Sequence, residues 1–303
     1  MNFKSLYLNM IKYLCGVVLV FISLETSSQE LDSILYSRYV PDSCIRVKDY
    51  KNAYFYYNQH IDRYCDFTGQ FTFFNAACVA SSLGHLRMAS TYLRNAMDLG
   101  FDDTLLYNND KDLVALRLSD YGIGIEKYLL EQINRRNSME YKFIDSILKV
   151  LISFDQIVRT QMIGINYSDS AQLLKHLIDI NNIDLLNQQF ISILFNKINN
   201  SKFVYTSMVY RNLFLLIQHN KNLQILESYL PFMQNWTLKE FMPASNLALL
   251  IDRIEIYNNR EQIYGTQTYF EYKTGKTTLC KIKNKDGVNF KRKLMQLKPL
   301  SLY

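Results

Sequence analysis

The sequence predicts a mainly α-helical protein, with helical hairpins in its first half, a second helical domain after them and a small β-hairpin close to the C-terminus. With only 4 prolines and 10 glycines in 303 residues, there is little to interrupt helices. Apolar residues recur at helical spacing through most of the chain, as in Ile144, Ile147, Leu148, Leu151 and Val158. Only residues 266–282 change character, with β-branched and aromatic residues on either side of a glycine turn, which is the pattern of a hairpin. A hydrophobic fraction of 49% over this length is enough to bury a full core and to divide into two domains.

Residues 1–28 place Lys4 and Lys12 ahead of an apolar run, Leu14 to Leu24, and end in Thr26, Ser27 and Ser28. That is the layout of a secretory signal peptide, and the run is shorter than the ~20 apolar residues a membrane span needs. Export to the periplasm or the medium is expected, with cleavage near Ser28. Cys15 is not read as a lipid attachment site, because Lys12 stands where an apolar residue is wanted and Val17 to Phe21 continue the apolar run. Beyond the leader, residues 29–125 read as helical repeats and residues 126–303 as a second domain. Four cysteines remain, Cys44, Cys65, Cys78 and Cys280, with no C-x-x-C pair. Export permits disulfides, although a chain of this length can build its core without them.

In the repeat half, QFTFFNAACVASSLGHLRMASTYLRNAMDLGFDD over residues 70–103 sets Ala77, Ala89 and Ala96 at small-residue positions and Gly84 at a turn. Two antiparallel helices approach closely only where side chains are small. This segment resembles a tetratricopeptide repeat, with Leu93 at the large apolar position. Upstream, Ala53 and Tyr57 repeat Ala89 and Leu93 at a spacing of 36 residues, where the repeat has about 34. The resemblance spans roughly residues 32–118 and implies a concave surface offered to a peptide or partner domain. Tyr54, Tyr56, Tyr57 and Tyr64 are read as packing between the helices rather than as a stacking platform.

The second half opens with a helix from Ser138 to Met162. At about 100° per residue, Asp155 and Arg159 fall within its apolar stripe, so they must pair if they are buried. Asp169 is positioned to cap a helical hairpin made of AQLLKHLIDI and Leu185 to Ile198. A break near His219 and Asn220 divides the next apolar segment into two helices. The segment from Ala248 to Gln267, ALLIDRIEIYNNREQIYGTQ, places Asp252, Arg253, Gln262 and Gln267 among apolar residues, where polar groups need partners. The GKT of Gly275 to Thr277 is not a phosphate loop, because Phe270 occupies the position of the first glycine and no helix follows. Asn284 to Gly287 lacks the acidic ligands of a calcium loop and reads as a turn.

No metal site or cofactor is expected, since His60, His85, His176 and His219 show no ligand spacing. Between Lys273 and Lys298 there are nine Lys or Arg residues against Asp286 alone, within a formal net charge of +6. Such a run reads first as a solvated face; if it meets a partner, an exported protein implies an anionic component of the cell envelope and not nucleic acid.

Several short motifs make the C-terminal half, roughly residues 150–303, resemble an uncharacterised bacterial family often found behind helical repeats. They are Asp155, Gln156 and Arg159; Asp179 and Asn182 in D-x-x-N; Gln218 and His219; Asp252 and Arg253; Gln262 to Gln267 in Q-x-Y-G-T-Q; and a closing pattern of Val288, Asn289, Arg292, Leu297, Leu300 and Tyr303. Asn220 departs from the family's usual aspartate after Q-H, and Gln296 from its usual glycine. The resemblance carries no established activity. It marks His219, Asp155 and Asp252 as catalytic candidates, and Gln156, Arg159, Arg253, Gln262, Tyr264 and Gln267 as ligand-binding candidates. Two functions fit. The first is a non-catalytic exported binding or scaffold protein. The alternative is an enzyme in which His219 moves a proton, an arginine holds an anionic substrate and Asp155 or Asp252 orients them.

Overall fold

The computed structural model describes residues 30–136, 139–161, 169–201, 204–271 and 276–301. The predicted leader at 1–28, the expected helix ends at Ser138 and Met162, the hairpin turn at 272–275 and Tyr303 lie outside these residues. The fold is mainly helical with one small two-stranded sheet near the C-terminus, as the sequence predicts.

Helix α1 includes residues 30–46. Helix α2, Tyr50–Arg63, begins at Asp49, whose side chain accepts from the Asn52 amide and so satisfies one of the donors a helix start leaves open. Helices α3, Gln70–Ser82, and α4, Leu86–Asp98, form a hairpin across Leu83 to His85. Gly84 makes the turn in the left-handed region at φ 79°. Ala77, Ala80, Ala89 and Ala96 have no exposure, so the two backbones close on each other while Tyr57, Leu93 and Met97 fill the space around them. Of the tyrosines at issue, Tyr57 is fully buried and Tyr54 stacks on His85. The short helices α5, Thr104–Asn109, and α6, Val114–Arg117, lead to α7, Ile125–Arg136. Arg136 donates to Gly100 O at 2.8 Å and Met97 O at 2.5 Å, satisfying carbonyls at the C-terminal end of α4.

A second, larger core is built by α8, Met139–Thr160; α9, Ser170–Asn199; α10, Ser207–Gln218; α11, Leu223–Leu238; and α12, Ala244–Tyr257. Phe195 sits among Tyr229, Phe232 and Trp236, and Tyr210 stacks on Phe241. Where a hairpin of two helices was expected between Asp169 and Ile198, α9 is one continuous helix of 30 residues. Asn181 and Asn182 at the supposed break are only mildly unfavourable in a helix, and neither glycine nor proline is present to stop it. The buried stripe of α9 runs through Asp184, Asn187, Ile191, Leu194, Phe195 and Ile198. Strands β1, Thr268–Glu271, and β2, Lys276–Leu279, pair antiparallel, with Thr268 opposite Leu279. Both are largely exposed, so they carry little core. Helix α13, Val288–Leu294, is the last helix among the described residues. Among the described residues no helix is long and apolar enough to cross a membrane, and Cys44, Cys65, Cys78 and Cys280 are free thiols.

Two of the contacts that join the two cores stand out among the described residues. Leu31, Ile34 and Leu35 of α1 belong to the larger core, although α1 precedes the hairpins in sequence. The second join is Glu240, after α11. Its Oε2 accepts from the amides of Phe71 and Thr72 at 2.8 and 2.9 Å, and its Oε1 accepts from the Thr72 hydroxyl at 2.7 Å. Helix α3 starts at Gly69, which has no side chain for this task, so a carboxylate from the other half caps it. A Cβ at Gly69 would lie 2.5 Å from Glu240 Oε2 and from Lys239 O, so only glycine admits the approach. Arg38 of α1 flanks the contact, 3.3 Å from Glu240 Oε1 and donating to Leu238 O at 2.5 Å.

Substituting Glu240→Ala removes the cap and strands Arg38. A stability loss of about 1–3 kcal/mol is expected in chemical denaturation, with partial recovery in Glu240→Gln. A melting curve identical to wild type would contradict this joining role.

Candidate functional site

The site begins at Asp155, whose position on the apolar stripe of α8 gives it no solvent exposure. A carboxylate buried this way requires donors. Three converge on Oδ1: Arg159 Nε at 3.1 Å, Arg159 Nη2 at 3.0 Å and His219 Nδ1 at 3.0 Å. Oδ2 accepts from Gln156 Nε2 at 2.9 Å. Arg159 lies one turn along the same helix, and its Nη2 also donates to Asp184 Oδ1 on α9. His219 is the residue that ends α10. One carboxylate therefore ties α8 directly to α10 and, through Arg159, to α9.

Burial pushes the Asp155 carboxyl up, but the hydrogen bonds from His219 and Arg159 outweigh it and hold the group below the usual aspartate range. Asp184 goes the other way, because burial raises it more than Arg159 and His219 lower it. Asp184 is 5% exposed, and its Oδ2 has no hydrogen-bond partner among the described residues. With Asp155 ionised and able only to accept, His219 must carry a proton on Nδ1, which leaves Nε2 as the ring nitrogen available to a ligand.

His219 and Asp184 face a cleft of about 410 Å³. Arg159 contributes from α8 and Lys221 from the turn after α10; Arg253, Ile256 and Tyr257 contribute from α12; Gln267, Thr268 and Cys280 line the side nearest the hairpin. Arg253 donates through Nη1 to Gln218 O, and its side chain is desolvated enough that burial lowers its pKa from the usual arginine value.

Asp252 does not join this group, which corrects its expected place beside His219. It is fully buried, and its carboxylate accepts from the amides of Ile263 at 2.7 Å, Tyr264 at 2.9 Å and Thr266 at 2.9 Å, and from the Thr266 hydroxyl at 2.8 Å. Its lone pairs are spent on folding one loop. Gln262 and Tyr264, expected to bind ligand, are likewise part of the frame. Gln262 has no exposure and holds Gln267 O and Cys280 O through Nε2, while its Oε1 accepts from the Gln267 amide. Tyr264 is packed in the larger core, and Gly265 beside it adopts φ 69° where a Cβ would meet Leu300. Arg292 donates to Tyr264 O and Lys298 O, fixing the last segment over the same loop. Gln156 is exposed and touches Asp155. Of the expected ligand-binding residues, Arg159, Arg253 and Gln267 reach the cleft.

Asp184, Lys221 and Cys280 were not anticipated. Asp184 carried a signal, because Asp184 and Asn187 repeat the D-x-x-N spacing five residues after Asp179 and Asn182 and lie on the buried stripe of α9. Asp179 is only half-buried and Asn182 is exposed. Asp155, Asp184 and His219 bring one possible metal-ligand atom each to within 4.8 Å of the others, which is the one such group found among the described residues. Arg159, hydrogen-bonded to both carboxylates, supplies positive charge at this place.

Because its pKa is depressed in the fold, ionised Asp155 contributes stability that is present above the unfolded value, near 3.9, and lost as pH falls through the folded value. The stability gap between wild type and Asp155→Asn should therefore be about 3 kcal/mol or more at pH 7 and narrow below pH ~4 in urea titrations. A gap that does not change with pH would contradict the ionised pairing.

No curated protein and no solved structure matches the chain. Residues 144–303 match a family of unknown function, DUF6624, and they take in every side chain that lines the cleft together with Asp155 behind it. With just over half of its length covered, from α8 onward, the chain belongs to the family of unknown function DUF6624.

Proposed function

We propose that the protein is an enzyme acting on a small molecule in the cleft of its C-terminal half, with His219 as the group that moves a proton and Asp155 as the group that orients it. The observation that carries this reading is the 3.0 Å contact between His219 Nδ1 and a fully buried carboxylate, on a histidine that lines a cleft. A buried acceptor of this kind fixes the tautomer, aims Nε2 at the bound molecule and stabilises the imidazolium that forms when Nε2 takes a proton. Arg159 keeps Asp155 ionised while the imidazole changes charge. The helical hairpins in front are read as a tetratricopeptide-like scaffold, supported by the buried alanines and the Gly84 turn, that docks on the catalytic half through Glu240.

The test is a turnover screen in which the purified protein is incubated with a mixture of cellular small molecules and consumption is followed by mass spectrometry. Wild type should consume at least one component, and His219→Gln should lower that rate about 10²-fold or more while keeping its melting temperature within a few degrees. Consumption that is unaffected by His219→Gln, or no consumption by wild type, would defeat the proposal.

A further inference from the structure

The cations around the cleft are not equally engaged. Arg159 is spent on Asp155 and Asp184. Arg253 and Lys221 have no carboxylate within 4.0 Å among the described residues. Arg253 is the more telling of the two. It carries five N–H donors on a planar fork, and among the described residues its one hydrogen bond goes from Nη1 to the carbonyl of Gln218. Burial disfavours its charge, yet a guanidinium remains protonated, so the fold holds a desolvated cation at the cleft that Asp184 offsets only from beyond ion-pair distance. With His219 neutral, Arg159, Lys221 and Arg253 against Asp155 and Asp184 leave a net positive charge at this wall.

From this we infer that the molecule bound in the cleft carries an oxyanion, a carboxylate or a phosphoryl group, which Arg253 grips through its free donors with Lys221 at the cleft edge. Such a group takes two parallel N–H bonds from the guanidinium fork, which a neutral ligand cannot match. A volume of about 410 Å³ is within the range of small-molecule sites. Held on Arg253, the rest of the molecule lies on the wall shared with His219, so the oxyanion sets which atom meets Nε2. The identity of the substrate class rests on the acid–base reading above, whereas the capture of an anion does not.

Binding is measured by calorimetry on the full chain with inorganic phosphate and, separately, with succinate, at ionic strength matched with chloride. One of the two should bind saturably; phosphate alone assigns a phosphoryl substrate and succinate alone a carboxylate. Arg253→Met should weaken that binding about tenfold or more, and Lys221→Met, on an exposed turn and safe for folding, should weaken it less. His219→Gln should bind within about twofold of wild type, since it leaves the anion grip intact. Absence of saturable binding by either anion, equal binding by the Arg253→Met and Lys221→Met variants and wild type, or loss of binding in His219→Gln alone would overturn the inference. If anions fail to bind while His219→Gln still abolishes turnover, the oxyanion assignment falls and the acid–base reading stands. If an anion binds as expected and no turnover exists, the reverse holds.

Discussion

A carboxylate with no contact to water must be surrounded by donors, and Asp155 meets that requirement with donors from two helices, one of which also ties it to a third. Arg159 comes from its own helix, His219 from the end of α10, and Asp184 is reached through Arg159 on α9. Removing one partner from such a group leaves an uncompensated charge, which costs more than the pair contributes. The helices that carry these residues are therefore held in one arrangement, and the cleft wall is a by-product of satisfying Asp155. Ile144, Leu148 and Leu151 on the same stripe bury α8 in the larger core, so the charge network is seated on ordinary apolar packing.

Asp252 solves a similar problem with a different outcome. Its oxygens meet backbone amides of the 263–266 loop and one hydroxyl, which are neutral donors with no proton to exchange at physiological pH. The result is a rigid loop, pinned from the other side by Arg292 and by the close approach of Leu300 to Gly265. That loop sets Gln267 and, through Gln262, the strand end at Cys280 on the cleft. One buried aspartate thus faces a histidine that can change charge and the other faces backbone that cannot, and this separates site from frame.

Much of this was legible in the sequence. The spacing of Ala77, Ala89 and Ala96 around Gly84 encodes a close helix pair because small side chains on facing positions let two backbones approach. Asp155 and Arg159 stood out because charges inside an apolar stripe demand partners. Asp184 was hidden by the Asn181 and Asn182 pair, which reads as a break only if the helix is divided; on a continuous α9 it falls on the stripe with Ile191 and Leu194. The placement of Asp252 beside an apolar face revealed burial, but local sequence does not distinguish backbone from side-chain partners. Glu240 gave no signal, since its role depends on the N-terminus of a helix 168 residues away and on a glycine at that helix start.

The claim that Asp155 organises the site is tested most directly at the His219 ring, by nitrogen-detected NMR on protein labelled at histidine. With Asp155 accepting from Nδ1, the neutral ring should carry its proton on Nδ1, leave Nε2 bare and show a through-bond signature that shifts on Asp155→Asn. A neutral His219 protonated on Nε2, with nitrogen shifts untouched by Asp155→Asn, would contradict the account.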